Sequence, residues 1–320
     1  MRITLFRQDG HAKPTLMPWL RGSSVVNDRP WLIEMKIEPK LAVDAERLLA
    51  ACIQMASEDT TFEFSKDPES GELIVMGLDE PSLDRQIDAL HRFFKIDVLV
   101  GPPQVAYRVT LARSTEIDYT HKKQTGSTGQ FARVKLRLEP NERDAGNIFE
   151  SHVAAEAVPE AYIPGVEKGV QSAWVSGVPI DFPMVDTKVT LLDGAYHKVD
   201  SSTSAFEIAA RTAMREGCKH AGMTLLEPIM DVEVVSPRDC ASSVIRDIDS
   251  RRGEVNEQQI LADATVIRAH MPLATLFGYK NALLAISNGR ASHTLRFSHY
   301  AEVPRNIGPD RFPPAVGMRA

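Results

Sequence analysis

The sequence of 320 residues lacks the patterns that would place it in a membrane, outside the cell or around a metal ion. Its apolar runs stay far below the ~20 residues that a helix needs to cross a bilayer, and its basic N-terminus has no apolar segment typical of a secretory signal. Three cysteines lie far apart without Cys-x-x-Cys spacing, and nine histidines show no ligand spacing such as His-Glu-x-x-His. We therefore expect a cytoplasmic protein that binds no metal and no membrane.

The composition is otherwise that of an ordinary globular protein, with 43% apolar residues, 25% charged residues and a formal charge of -6. One segment departs from this acidic average. Residues 121–137, HKKQTGSTGQFARVKLR, hold five cations, two glycines and no acid. A basic loop with glycines on an acidic protein favours contact with a phosphate backbone.

A second polar segment, residues 193–202, reads DGAYHKVDSS and is rich in turn-forming residues around His197. Together the two segments are predicted to be loops presented to nucleic acid. Asp193, Asp200 and Ser201 next to this histidine suggest a hydrolase triad, but no Gly-x-Ser-x-Gly turn accompanies them. We expect no catalysis here, and expect residues 200–202 to shape a turn that leads into a helix.

Hydrophobic periodicity predicts the same order of elements, β-α-β-β-α-β, at both ends of the sequence. Near the N-terminus the predicted elements are a strand from Trp31, a helix over 40–57, a hairpin over 62–76, a helix over 81–94 and a strand over 96–100. Near the C-terminus they are a strand from Pro228, a helix opened by Ser236 and Pro237, strands over 254–260 and 264–273, a helix over 276–287 and a strand over 291–299.

The sequence between these units predicts a domain of mixed strands and helices. Its expected strands cover residues 107–111, 131–138, 149–154 and 185–192, and its expected helices cover 163–175 and 204–221, the latter capped by Ser204. The fold class predicted is therefore α+β, with two ferredoxin-like split βαβ domains flanking a central α+β domain. The expected boundaries are a poorly ordered leader over 1–29, domains over 30–102, 103–225 and 226–303, and a Pro-rich tail over 304–320.

Seven ordered motifs resemble translation elongation factor G in its C-terminal half, which comprises domains III, IV and V. They are HKKQTGSTGQFARVK from His121, AYIPGVEKG from Ala161, DGAYHKVDSS from Asp193, LEPIMDVEV from Leu226, SRRG from Ser250, PLATLFGY from Pro272 and NGRAS from Asn288. The similarity runs from about Trp31 to Pro304. It implies that the central domain is similar to domain IV of that family.

The resemblance implies a ribosomal partner, because domain IV of the family reaches the decoding site with its tip loops. It implies contacts with rRNA and with the mRNA–tRNA helix, through short polar groups that suit the shallow minor groove of RNA and lysines that suit its phosphates. The residues expected to bind RNA or the ribosome are Lys122, Lys123, Gln124, Gly126, Ser127, Thr128, Gly129, Gln130, His197, Arg251, Arg252 and Arg290. For the three arginines, complementing a helix C-terminus is an equally good explanation.

The family hydrolyses GTP in its N-terminal half through a phosphate loop, Gly-x-x-x-x-Gly-Lys-Ser/Thr. None of the nineteen glycines here is followed by lysine. We therefore expect no enzymatic activity and no cofactor for this chain, with GTP and Mg²⁺ involved only if a separate G-domain protein is a partner.

Three hypotheses remain open. The first is that the chain is a monomeric ribosome-binding protein that acts in translocation or ribosome recycling without its own GTPase domain. Alternatively, it is one half of a split translational GTPase, or a truncated paralogue without function.

Overall fold

The computed structural model describes residues 31–59, 62–66, 72–125, 128–177 and 182–304. The expectations for the leader (1–29) and for residues 305–320 of the tail lie outside the described residues, and so do Gly126 and Ser127. No helix within the described ranges is both long and apolar enough to cross a membrane.

The first module is a five-stranded antiparallel sheet packed against two helices. Its elements are β1 (Ile33–Pro39), α1 (Ala45–Glu58), β2 (Phe62–Lys66), β3 (Leu73–Gly77), α2 (Glu80–Arg92), β4 (Val98–Val100) and β5 (Gln104–Val105). The strand order β2-β3-β1-β4 is that of a ferredoxin-like split βαβ unit, as predicted. Both β4 and β5 pair with β1, so they form one edge interrupted at Gly101 and the two prolines after it.

The third module repeats this arrangement. It consists of β11 (Met223–Pro237), α5 (Ala241–Ser250), β12 (Glu254–Ile260), β13 (Ala264–Pro272), α6 (Tyr279–Ser287) and β14 (Ser292–Glu302), in the strand order β12-β13-β11-β14. Buried side chains of the first and third modules form one continuous hydrophobic cluster. Tyr300 links the two modules directly, since its hydroxyl donates to the carbonyl oxygen of Ala106 at 3.2 Å.

The central module has its own core. Its elements are β6 (Arg108–Leu111), β7 (Thr115–Thr125), β8 (Thr128–Pro140), β9 (Ile148–Ser151), α3 (Ile163–Ser176), β10 (Thr187–Ala195) and α4 (Thr203–Ala221). The sheet order is β7-β8-β10-β9, and β6 pairs instead with β11, which ties this module to the third. The predicted α+β architecture, with two ferredoxin-like units around a mixed domain, is confirmed.

Helices α3 and α4 approach each other closely because glycines face the contact. A Cβ atom placed at Gly169 would lie 2.4 Å from the carbonyl oxygen of Glu207 and 2.8 Å from the Cβ atom of Ala210. Any larger residue at this position would push the helices apart. Helix α4 also carries small, buried alanines on the side that faces the sheet. Their small side chains let the helix lie close to β7 and β8.

Two predicted helix starts were wrong. Helix α5 begins at Ala241, and not at Ser236, because Ser236 and Pro237 still pair with β13 and extend β11. Helix α1 begins at Ala45 after a short 3₁₀ turn, so Leu41 lies outside it and is exposed. In both cases the sequence carries a local signal for a helix start. The structure places those residues in the preceding strand or 3₁₀ turn instead.

The start of α4 also differs from the prediction. Ser202 is the N-cap, and its side-chain oxygen accepts the backbone N–H of Ala205 at 3.1 Å. Ser204, the predicted cap, already lies inside the helix. The two-residue shift places the helix directly after the turn of residues 200–202, which is confirmed as the lead into this helix.

Replacing Phe206 by Ala is expected to lower the free energy of unfolding by about 3–5 kcal/mol, as large core truncations do. Its ring is fully buried and stacks on Tyr162 with a centroid separation of 5.0 Å. Denaturant unfolding measures the change. Phe93→Ala is the matched control, because the Phe93 side chain is 79% exposed and should be neutral within about 0.5 kcal/mol. Equal effects of the two substitutions would refute the proposed core.

Candidate nucleic-acid interface

The basic segment predicted as a loop is a long β-hairpin. Strands β7 and β8 pair continuously from Thr115 opposite Leu138 to Thr125 opposite Thr128. Only residues 126 and 127 connect them. The strand predicted over 131–138 is confirmed as part of β8. The expectation of a loop was wrong for residues 121–125 and 128–130, because they continue the pairing of β7 with β8 almost to the tip.

Strand alternation sends the two predicted lysines to opposite faces of the hairpin. Lys122 lies opposite Phe131, and Lys123 lies opposite Gln130. Ala132 and Val134 are fully buried against the helices, so Gln130 and Lys123 share their face, while Lys122 lies on the other face of the sheet. The end of the hairpin therefore carries positive charge on both sides.

Three of the five cations in the basic segment are neutralised by acids on neighbouring strands. Arg137 donates from Nε and Nη2 to Glu116, at 3.0 and 2.7 Å, and Lys135 lies 3.0 Å from the other oxygen of the same carboxylate. Arg133 forms a two-point contact with Asp118 and also lies 3.6 Å from Asp193. Hydrogen bonds from Arg137 and Lys135 hold the pKa of Glu116 below its usual value, and Arg133 does the same for the pKa of Asp118.

The remaining cations lie at the end of the module. Lys122 and Lys123 are exposed, and no acid forms an ion pair with either in the described part of the chain. Lys198 is exposed in the same way. Within the described part of the basic segment, the cations without an acidic partner are thus the two nearest the hairpin tip, so this patch is smaller than the sequence predicted.

The segment after β10, residues 196–201, folds back onto the hairpin. The backbone N–H of Phe131 donates to the carbonyl oxygen of Asp200 at 2.9 Å, and Ser201 Oγ donates to the carbonyl oxygen of Phe131 at 2.6 Å. These bonds place the histidine-bearing loop beside β8, a few residues from the tip. The two polar segments are therefore neighbours at one end of the central module.

His197 is exposed at the surface of this loop, and its Nδ1 atom lies 2.9 Å from an oxygen of Asp200. The triad suggested by the sequence does not form. Ser201 Oγ accepts the backbone N–H of His197 at 2.8 Å and donates to Phe131, so its hydroxyl is engaged by the main chain and not by the imidazole. These hydrogen bonds of Ser201 fix the conformation of the turn.

The Asp200 side chain of the histidine loop lies close above Gly129. A Cβ atom at this position would lie 2.6 Å from both Cγ and Oδ1 of Asp200. The carboxylate therefore occupies the volume where any other residue would place its side chain. Of the other predicted tip residues, Gln124 is exposed, and Thr128 closes the strand pairing. Gln130 Oε1 accepts a hydrogen bond from His121 Nε2 at 3.1 Å.

The three arginines predicted in the third module have partners inside the protein. Arg252 donates from Nη1 and Nη2 to the two oxygens of Glu227 at 2.7 and 2.8 Å, and the Glu227 side chain is only 3% exposed. Arg251 donates to Asp247 and to the carbonyl oxygen of Thr275, and its guanidinium lies over the Tyr279 ring.

Arg290 donates to Asp239 at 2.7 Å and to the carbonyl oxygen of Ser287 at 3.2 Å. These contacts explain the arginines as structural groups, while a role in RNA binding stays a prediction. All three lie in the third module, apart from the hairpin end.

Sequence reasoning missed Lys198 and Val199, which lie between His197 and Asp200. The Val199 side chain is 82% exposed, which is unusual for a large apolar residue at a loop tip. Both residues lie inside the turn-rich segment 193–202, and this position could have marked them as candidates. In the described ranges, no group of three or more His, Cys, Asp or Glu side chains is arranged to hold a metal ion.

Three family models match consecutive parts of the chain. Elongation Factor G, domain III matches residues 30–102, Elongation factor G, domain IV matches 103–222, and Elongation factor G C-terminus matches 224–311. Over these residues the chain belongs to the elongation factor G family. The hairpin and the histidine loop both fall in domain IV of this family.

Individual relatives agree with this assignment. The chain is 53% identical over 276 residues to elongation factor G of Rhodopseudomonas palustris (strain BisB18) and to that of Paracoccus denitrificans (strain Pd 1222). The match covers 86% of this chain but only 40% and 39% of those proteins, so the chain spans well under half the length of these relatives.

A solved structure shows the same fold. A crystal structure of a protein from Thermus thermophilus superimposes with a TM-score of 0.70 and 32% sequence identity, over 90% of this chain and 44% of that protein. The similarity includes most of the described residues, so it extends across all three domains.

Substituting Gly129 by Ala is expected to destabilise domain IV by about 1–3 kcal/mol, because the added methyl group collides with the Asp200 carboxylate. Chemical denaturation measures the loss. The double substitution with Asp200→Ala should recover much of it, since the collision is removed. Strictly additive effects of the two substitutions would show that Asp200 does not lie over Gly129.

Proposed function

We propose that this chain binds the ribosome and places the end of domain IV, made of the β7–β8 hairpin and residues 196–201, against RNA at the decoding site. The observation that carries the proposal is the pairing of charges in domain IV. Arg133, Lys135 and Arg137 on the sheet form ion pairs with Glu116, Asp118 and Asp193. Among the described residues, Lys122, Lys123 and Lys198 at the end form none. Unpaired cations at one end are what contact with phosphates requires.

The polar groups between these lysines fit the same partner. Gln124, Gln130 and His197 are exposed donors or acceptors of the kind that read the shape of an RNA minor groove. Binding of this kind requires no GTP hydrolysis by this chain. We infer that it acts in the cytoplasm during translocation or recycling, as a monomer that occupies the site of the factors it resembles.

The double substitution Lys122→Ala/Lys123→Ala is expected to weaken binding to ribosomes and to lower the salt dependence of binding. Each lost phosphate contact should reduce the slope of log K against log salt by about 1. Co-sedimentation with ribosomes over a series of salt concentrations measures both quantities.

The matched control is Lys40→Ala/Lys280→Ala, which removes the same charge from two exposed lysines in domain III and the C-terminal domain. The control should bind like the unmodified chain. Equal losses in both variants would mean that only net charge matters, and unchanged binding in the tip variant would remove the hairpin from the interface.

A second candidate is a complex with a separate GTP-binding protein, and one feature of domain III favours it. Leu41, Val43 and Phe93 are large apolar side chains that are well exposed. Their segments are adjacent, because Lys40 N–H donates to the carbonyl oxygen of Asp97 at 2.9 Å and Arg47 donates to that of Phe94 at 3.0 Å. Exposed apolar groups at one place are typical of protein interfaces.

For this candidate, the purified chain alone should hydrolyse no GTP. The rate at which a G-domain protein hydrolyses GTP should change when the chain is added to it. A Phe93→Asp variant should abolish that change while leaving ribosome binding intact. If the chain affects no G-domain protein but still binds ribosomes, the first proposal stands and the second is discarded. Hydrolysis that Phe93→Asp leaves unaltered would show that this apolar surface is not the contact.

A further inference from the structure

Helix α6 ends at the dipeptide Asn288–Gly289, and Asn288 is the one asparagine in the sequence that is followed by glycine. The backbone of Asn288 is left-handed, with φ 52° and ψ 45°, and Gly289 follows with φ 76°. Both residues are exposed. Among the described residues, a Cβ atom added to Gly289 would meet no atom within 4 Å beyond its chain neighbours. The dipeptide therefore lies at the surface, where water reaches it.

An asparagine that precedes a glycine can modify itself. The backbone nitrogen of the glycine loses its proton and attacks the side-chain Cγ atom of the asparagine, and the new N–Cγ bond closes a succinimide ring. The Cγ–Nδ2 bond breaks, and ammonia leaves with that proton. Water then opens the ring at either carbonyl carbon, which gives aspartate or isoaspartate. Glycine permits this attack because it has no side chain to obstruct the ring closure.

The fold engages the nitrogen that would attack. Gly289 N–H donates to the carbonyl oxygen of Leu284 at 2.7 Å, and Asn288 N–H donates to that of Ala285 at 3.5 Å. These two bonds are the pattern of a Schellman motif, which closes the end of a helix. The attack requires the Gly289 nitrogen without its proton, and this proton is the donor of the bond to Leu284. The last turn of α6 therefore has to open before the reaction can proceed.

Neighbouring side chains hold this turn closed. Ser287 is fully buried, and its Oγ donates to the carbonyl oxygen of Leu283 at 2.7 Å and accepts the backbone N–H of Ala291 at 3.0 Å. Arg290 donates to Asp239 at 2.7 Å and to the carbonyl oxygen of Ser287 at 3.2 Å. The chain is thus anchored on both sides of the dipeptide.

We propose that Asn288 is a self-modification site, which converts to isoaspartate and aspartate when the last turn of α6 opens. Isoaspartate adds a methylene group to the backbone between positions 288 and 289, so the Gly289 N–H no longer meets Leu284 with the same geometry. Both products also place a carboxylate at a helix C-terminus, where the helix dipole disfavours negative charge. The modified turn is therefore less stable than the original. The reaction involves this chain and water alone, so it does not depend on ribosome binding.

The first test compares the folded chain with the same chain unfolded in urea, both in mildly alkaline buffer. Mass spectrometry of peptides that contain position 288 measures the replacement of the amide by a carboxyl group. We expect conversion in the folded chain to be slower by about tenfold or more, because only the open turn reacts. Equal rates would show that the fold does not control the reaction. An unfolded chain that does not convert would show that Asn288 is not a site.

The second test loosens the turn without altering the dipeptide. Ser287→Ala leaves the Ala291 N–H without its acceptor and should speed conversion in the folded chain by about threefold to tenfold. The rate in urea should stay the same. The matched control is Ser250→Ala, which removes a hydroxyl that donates to the carbonyl oxygen of Asp247 at the end of α5. Conversion in the folded control should equal that of the unmodified chain.

Equal rates of conversion in the folded Ser287→Ala and Ser250→Ala variants would contradict the proposed control by the turn. Circular dichroism checks that both variants are folded. If Ser287→Ala does not fold, Arg290→Ala takes its place, since Arg290 is exposed and its loss removes the bond to Asp239. The same acceleration is expected from that variant, and an unchanged rate would overturn the proposal.

The third test asks what the product does to the turn. Hydrogen exchange of the Gly289 amide, followed by NMR, should be faster in the converted chain than in the unmodified one, because the bond to Leu284 is weakened. Asn288→Gly is the control, since glycine keeps the left-handed backbone and has no amide to lose. This variant should neither convert nor lose protection at position 289. Equal protection before and after conversion would show that the modification leaves the turn intact.

Discussion

The candidate interface depends on two hydrogen bonds between the histidine loop and the hairpin. Phe131 N–H donates to Asp200, and Ser201 Oγ donates back to Phe131. Without these bonds the segment after β10 would be free to leave the sheet, and His197 would have no fixed relation to Lys122 and Lys123. The cap at Ser202 then starts α4 at once, so that a buried helix anchors the other end of the loop.

The distribution of charge follows from the same architecture. The face of the domain IV sheet that no helix covers carries long side chains of both signs, which pair across strands and keep the face solvated. Since the field that attracts a polyanion is the sum of all nearby charges, a cation paired with a carboxylate contributes little to it. Because pairing ends short of the tip, the protein can be acidic overall and still present a basic end.

Much of the fold was predictable because its signals are periodic. The order β-α-β-β-α-β at both ends follows from alternating and helical apolar patterns, and the strand orders agree with it. The errors occurred where a local sequence pattern predicts one element but tertiary pairing places the same residues in another. Ser236 and Pro237 look like a helix start, yet they extend β11 because β13 offers them pairing partners.

The site was predictable in composition but not in arrangement. Sequence identified the basic segment and His197, but counting charges could not show that Arg133, Lys135 and Arg137 are neutralised across strands, since their partners lie on other elements. The close approach to Gly129 was equally hidden, because it involves a carboxylate 71 positions later in the chain. The contacts of Arg251 with the carbonyl oxygen of Thr275 and of Arg252 with Glu227 likewise depend on residues brought close only by folding.

The central claim is that the end of domain IV touches ribosomal RNA, and a tethered cleavage reagent tests it most directly. The native thiols are buried, and burial raises the pKa of Cys52 and Cys218 to about 12, so a single added cysteine can be labelled selectively. Val199→Cys and Val43→Cys introduce thiols at positions that are 82% and 83% exposed, one in the histidine loop and one in domain III. An iron chelate attached at position 199 should cleave small-subunit RNA around the decoding site, and one at position 43 should not. No cleavage from position 199, or the same cleavage from both positions, would contradict this account.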